Sequence, residues 1–174
     1  MAITLVLGGA RSGKTGYAQG AAEAEAARTG VVPTMIVTAQ AFDAEMAERI
    51  DRHRQDRADR WRTVEAPLTL AETIRGLTAS DVAVVDCLTL WLTNVMLGER
   101  DPVAAADELL AALVDCPARL WLVSNEVGWG IVPENVLARR FRDEAGRLHQ
   151  RISAVADEVY LIAAGLPLRM KPQA

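Results

Sequence analysis

The residues Gly8-Gly9-Ala10-Arg11-Ser12-Gly13-Lys14-Thr15 constrain this chain more than any other stretch. They match GxxxxGK[ST], directly after the apolar run Ile3–Leu7 and directly before an alanine-rich segment. Such a loop works only in that setting. Its glycines let successive backbone N–H groups turn inward around phosphate oxygens, and the following helix adds partial positive charge from its N-terminus. Lys14 then reaches the β- and γ-phosphate oxygens, and Thr15 offers a hydroxyl to Mg2+. The chain has 19 basic residues, of which only Lys14 and Lys171 are lysines. One of the two standing at the motif position argues against a glycine turn that matches by accident.

The rest of the chain fits a loop of this kind. Short aliphatic runs alternate with longer helical stretches, the pattern of an α/β sheet with helices on both faces. Strands are expected at Ile3–Leu7, Thr34–Thr38, Val82–Asp86, Leu120–Ser124 and Glu158–Ile162, each almost wholly apolar as in a sheet covered on both sides. Helices are expected over Lys14–Arg28, Asp43–Arg57, Leu68–Leu77, Pro102–Val114 and Pro133–Val155. The expected architecture is a P-loop NTPase-like, RecA-like, mostly parallel sheet. At 174 residues it forms one domain, residues 1–174, with no linker or repeat. Gly98–Pro102 reads as a surface turn and Lys171–Ala174 as a frayed end.

A net charge of −4 gives no general field for nucleic acid. Cys87 and Cys116 show neither disulfide nor metal spacing, and the N-terminus lacks a basic export region. A reduced, cytoplasmic setting is expected, with no membrane segment. Asp86, closing the run Val82–Asp86, is the expected Walker-B carboxylate, helping Thr15 with Mg2+; a strand-end cap is the plainer alternative. Neither lysine lies in the Asn/Thr-Lys-x-Asp segment with which switch GTPases read guanine, so that class is a poor reading.

Arg49, Arg52, Arg54, Arg57, Arg60 and Arg62 crowd into one stretch around His53. On a helix Arg49, His53 and Arg57 form a stripe, with Met46 and Ile50 on the neighbouring face. Flanking guanidinium groups disfavour the imidazolium and bind phosphate, which suits a histidine that attacks a nucleotide phosphorus. A solvated basic helix is the alternative. His149, within Arg147-Leu148-His149-Gln150-Arg151, reads as a surface or partner-contact residue.

Several segments together resemble the bifunctional adenosylcobinamide kinase/adenosylcobinamide-phosphate guanylyltransferase family of cobalamin biosynthesis. They are Gly8–Thr15, Asp43–Ile50 with His53-Arg54, Trp61–Glu65, Asp86–Asn94, Ser124–Asn135 (SNEVGWGIVPEN), Ala138–Asp143 and Gly165–Leu168, in order from end to end. The resemblance implies two reactions. Adenosylcobinamide takes a phosphoryl group from ATP or GTP, and adenosylcobinamide phosphate then takes GMP from GTP through a guanylyl-histidine, giving adenosylcobinamide-GDP. By resemblance the guanylylated residue is His53, while His149 stands where the family usually has asparagine. Lys14 and Thr15 hold phosphate and metal, and Asp86 takes a place where some members have glutamate. Thr38, Ala39, Gln40, Arg54, Gln55, Asp56, Arg57 and Glu65 lie near the guanine nucleotide. Glu65 can accept from guanine N1–H and N2–H2 together, or instead bridge to Arg62. Asn125 and Glu126 are expected at nucleotide, corrinoid or a subunit boundary. Trp61, Trp91 and Trp121 read as core or interface residues, and Trp129, between two glycines, as an exposed apolar contact. The family also implies a homotrimer, for which Val127–Pro133 is a candidate interface. Two rivals remain at this point: a simple small-molecule kinase that does not need His53, and a RecA-like motor using Arg49–Arg62 on nucleic acid.

Overall fold

The computed structural model describes residues 2–40 and 60–171. The expected helix Asp43–Arg57, and with it His53, Arg54, Gln55, Asp56 and Arg57, lies outside the described residues, as do Pro172–Ala174. The elements are β1 Ala2–Gly8, α1 Lys14–Thr29, β2 Thr34–Val37, β3 Arg62–Glu65, α2 Leu70–Arg75, β4 Val82–Asp86, α3 Leu88–Leu97, α4 Pro102–Val114, β5 Arg119–Asn125, α5 Val136–Val155, β6 Glu158–Ala163 and β7 Leu166–Lys171. They build one seven-stranded sheet in the order β3-β2-β4-β5-β1-β6-β7, parallel except for β7, which runs antiparallel to β6.

Strand alternation sorts the core into two layers, because successive side chains point to opposite faces. Ile3, Leu5 and Leu7 of β1, Ala83 and Val85 of β4, and Leu120 and Leu122 of β5 pack under α2, α3, α4 and α5. Val6, Met35, Val84 and Val123 face the other way, against Ala18, Ala22 and Ala26 of α1. Small residues at every fourth position of α1 let it lie close on the sheet. Gly30, at φ 72°, ends it with its N–H on Ala26 O.

The five expected strands all form, within a residue of their expected limits, and the departures have physical causes. β3 has the half-polar sequence Arg-Thr-Val-Glu and no core pattern; it exists because Thr34–Val37 offers an unpaired edge to it. β7 carries Pro167, which an edge strand tolerates. α3 is apolar on nearly every side and follows β4 without a turn signal, so periodicity does not separate it from the strand; Leu88, Trp91, Leu92 and Val95 are buried. The start of the last helix falls at Val136, because the Asn135 side chain accepts from Ala138 N at 3.0 Å and caps it there. Lys171 is not frayed. It closes β7, and its Nζ donates to the carbonyls of Ser153, Ala154 and Ala156 at 3.0, 3.1 and 2.5 Å, the end of α5.

Candidate active site

The phosphate loop connects the carboxyl end of β1 to the first turn of α1. Arg11 at φ 55° and Gly13 at φ 96° curl the chain. The room inside the curl depends on missing side chains. A Cβ on Gly8 would lie 2.6 Å from the Ile162 carbonyl oxygen and against Ser12 Oγ, and one on Gly13 would lie 3.2 Å from Gly165 Cα. Gly165 sits in the turn between β6 and β7 and donates its N–H to Ser12 O at 2.9 Å, so that hairpin braces the loop from outside. Sequence reasoning found Gly165 only as part of a matching stretch; its bracing role carries no local signal. Lys14 is buried, and its Nζ donates to Gly9 O at 2.9 Å. Thr15, one residue on, is half-buried.

The sheet gathers the other expected residues at the same edge. Gly8 is opposite Asn125 of β5, and Asp86 of β4 is opposite Val123 of β5 and Val37 of β2. Asp86 therefore stands two strands from the loop, about 10 Å at ordinary strand spacing. β5 lies between them. Val37 is also opposite Glu65 of β3, which places Glu65 at the carboxyl edge, exposed. Its alternative partner, Arg62, instead reaches Thr34 Oγ1 at 3.1 Å and Asp81 Oδ1 at 3.4 Å. Thr38 is fully buried: its Oγ1 donates to Cys87 O at 2.7 Å and accepts from Cys87 N at 3.0 Å, stitching β2 to the residue after Asp86. Asn94 of α3 donates to Thr38 O at 2.7 Å from the other side. Ala39 and Gln40 follow, half-buried, where the chain leaves the described residues.

Asn125 Nδ2 donates to Thr89 Oγ1 at 3.0 Å, so the tip of β5 is held beside the end of β4. Cys87, next to Asp86, is buried; burial pushes its thiol up and Asp86 adds to the effect. Among the described residues no group of three or more His, Cys, Asp and Glu is arranged to hold a metal. Mg2+ takes one or two carboxylates and completes its shell with phosphate oxygens and water, and the Thr15 hydroxyl and Asp86 carboxylate are oxygen donors of that class. Trp61 and Trp91 are core residues, as expected; Trp121 is half-buried and Trp129 is 77% exposed. His149 is the exception. It is buried, at 6% exposure, and not a surface residue, because Ser124 Oγ meets its Nε2 at 2.7 Å inside the core.

Residues 4–170 match the family model described as cobinamide kinase / cobinamide phosphate guanyltransferase. The chain belongs to this family. The chain is 48% identical over 171 residues to the bifunctional adenosylcobalamin biosynthesis protein CobP of Pseudomonas aeruginosa, covering 96% of both chains. It is 42% identical over 185 residues to the bifunctional adenosylcobalamin biosynthesis protein CobU of Escherichia coli, covering 97% of this chain and 99% of that one. Among solved structures, the flagellar accessory protein FlaH from Methanocaldococcus jannaschii superposes with a TM-score of 0.51 over 99% of this chain and 79% of its own, at 12% identity. That likeness speaks for the fold alone. Membership in the cobinamide kinase/guanyltransferase family makes the chain an enzyme of cobalamin biosynthesis and sets aside the motor reading. No helix among the described residues is long and apolar enough to cross a membrane.

Proposed function

We propose that the chain carries out both reactions of its family at one carboxyl edge, with the phosphate loop serving each, and that His53 is the covalent carrier. The observation that carries this reading is the gathering of Gly8–Thr15, Asp86, Glu65 and Thr38–Gln40 at the same edge of one sheet. Gln40 is the last described residue before the segment bearing His53 and its arginines. In the first reaction the hydroxyl oxygen of adenosylcobinamide attacks the γ-phosphorus of ATP or GTP; its proton is lost and the nucleoside diphosphate leaves. In the second, a ring nitrogen of His53 attacks the α-phosphorus of GTP, the bond to the β-phosphate breaks and pyrophosphate leaves. A phosphate oxygen of adenosylcobinamide phosphate then displaces the histidine, giving adenosylcobinamide-GDP.

The backbone N–H groups of Gly9–Gly13 and the Lys14 ammonium bind the triphosphate. Thr15 and Asp86 would hold Mg2+, which when bound neutralises phosphate charge. Arg54, Gln55, Asp56 and Arg57 are assigned to binding the guanine nucleotide, and Glu65 to accepting from the guanine edge. Thr38 acts by fixing the edge through Cys87, with Ala39 and Gln40 beside the nucleoside. The reading includes a cytoplasmic homotrimer, supported by the exposed Trp129, Ile131 and Val132; light scattering at three times the chain mass is the expected result.

The deciding experiment incubates the protein with Mg2+ and GTP labelled at the α-phosphate. A protein-bound label that is acid-labile and alkali-stable, as a phosphoramidate is, should appear on the native chain and be missing from His53→Ala. Label that persists in His53→Ala, or never forms on the native chain, ends the covalent reading and leaves the simple kinase.

A further inference from the structure

The buried Ser124 and His149 and the half-buried Glu126 form a chain of polar groups that the two reactions above do not use. Ser124, fully buried near the end of β5, meets His149 Nε2 at 2.7 Å. On the far side of the ring, Nδ1 is buried without a hydrogen-bond partner among the described residues and faces Glu126 Oε2 at 3.8 Å. Glu126 in turn ties the end of β1 to the loop that leaves β5. Its backbone N–H donates to Gly8 O at 2.9 Å, and its Oε1 accepts from Gly128 N at 2.7 Å. A Cβ on Gly128 would lie 2.9 Å from that carboxylate oxygen, so the loop is pressed against it.

The sequence of groups is hydroxyl, imidazole, carboxylate, as in a hydrolytic triad. Hydrolysis is excluded by burial: no substrate carbonyl reaches a serine with no exposed surface on a central strand. The place of the cluster decides its use. β5 lies between β1, which ends in the phosphate loop, and β4, which ends in Asp86. Terminal phosphates held by both the loop and Asp86 would lie over the tip of β5, and the hydroxyl that takes the γ-phosphoryl group would approach past the loop that leaves it.

We propose that His149 is a positioning residue for the acceptor: through Glu126 it holds the Glu126–Gly130 loop beside Gly8, so that the corrinoid alcohol meets the γ-phosphorus of the bound triphosphate in line. A carboxylate facing Nδ1 selects the tautomer with the proton there, leaving Nε2 to accept from the Ser124 hydroxyl. Burial lowers the histidine's proton affinity, against a smaller opposite pull from Glu126, and keeps the ring neutral. The inference rests on the family chemistry occurring at the phosphate loop, and one of its two readouts is independent of turnover.

His149→Ala and His149→Asn are compared with the native enzyme. Asparagine sets an amide N–H close to where Nδ1–H stood, so it keeps the arm toward Glu126; alanine loses both arms. For His149→Ala the KM for cobinamide should rise by about fivefold, roughly what losing one contact of ordinary hydrogen-bond strength, here the one toward Glu126, shifts in an equilibrium. The nucleotide Kd should stay within about twofold, and asparagine should restore most of the loss. Independently of turnover, amide hydrogen exchange at residues 126–130 should quicken in the alanine variant and not in the asparagine variant. Should the alanine variant not fold, Glu126→Gln, which keeps an acceptor for Gly128 N while removing the charge facing Nδ1, should show the same split in smaller measure. Unchanged acceptor KM with unchanged loop exchange overturns the proposal, as does alanine and asparagine behaving alike. Quickened loop exchange in His149→Ala, beside a native protein that turns over neither acceptor, would keep the loop-holding role and sink the family chemistry instead.

Discussion

At the scale of single residues, the phosphate loop depends on atoms that are not there. Gly8 has no room for a side chain, since the Ile162 carbonyl is fixed by the neighbouring strand β6 and cannot retreat as a flexible side chain does. Gly8→Ala is expected to weaken nucleotide binding more than it weakens folding, because the loop, the less constrained partner, is what moves. Titration calorimetry with GTP beside urea unfolding checks this; equal affinity in the variant refutes it. Lys14→Ala should weaken nucleotide use in both half-reactions by roughly tenfold or more, as loss of a charged hydrogen bond to phosphate does. If guanylyl transfer kept its native KM for GTP while phosphoryl transfer lost it, two triphosphate sites would have to exist. The loop was fully legible in the sequence, because its chemistry is local: eight consecutive residues carry the turn, the donors and the charge. Gly165 and Ser124 were not, because each acts on a residue far away along the chain.

At the scale of elements, the longest helix shows how a boundary is decided. α5 is held at one end by Asn135 on Ala138 N and at the other by Lys171 reaching across from β7 to three carbonyls. Carbonyls at a helix C-terminus lack intrahelical donors and carry partial negative charge, which suits an ammonium. Asn135→Ala should cost about 1 kcal/mol of unfolding free energy, the usual loss for an N-cap, with no change in the slope against denaturant. An unaltered urea midpoint would show the cap to be idle. Pro102 beside the capping Asp101 made the start of α4 readable in advance, and its limits are those expected. α3 and β3 were not readable, for opposite reasons: one is apolar all round, and the other is too short and polar to announce a buried face.

At the scale of the whole molecule, acid stability collects contributions from separate corners. Glu25 is held down to about 2 by Arg28 and, across to β5, by Arg119. His149 is lowered from its ordinary 6.5 by burial. Both groups bind a proton more weakly folded than unfolded, so wherever the two states differ the unfolded chain takes up more protons and stability falls with falling pH. The His149 part sets in below 6.5, and the Glu25 part between its ordinary 4.5 and about 2. Urea midpoints measured from neutral pH downward should decline in those two stages, and His149→Gln should flatten the first without touching the second. A first stage that survives in His149→Gln would assign it to other groups.

Sequence alone determined the phosphate loop, the strand-end Asp86, the five core strands and the family. These are written in short-range patterns: spacing within a turn, an apolar run ending in an acid, motifs kept in order. Only the tertiary structure decided that β5 lies between the loop and Asp86, that two edge strands with no fully buried residue complete the sheet, and that His149 is a core residue bonded to Ser124. Strand order and burial come from contacts between segments more than a hundred residues apart, such as β1 with β5 and β6. No local pattern carries the free energy of such contacts, so only the assembled fold reveals which residues they bring together.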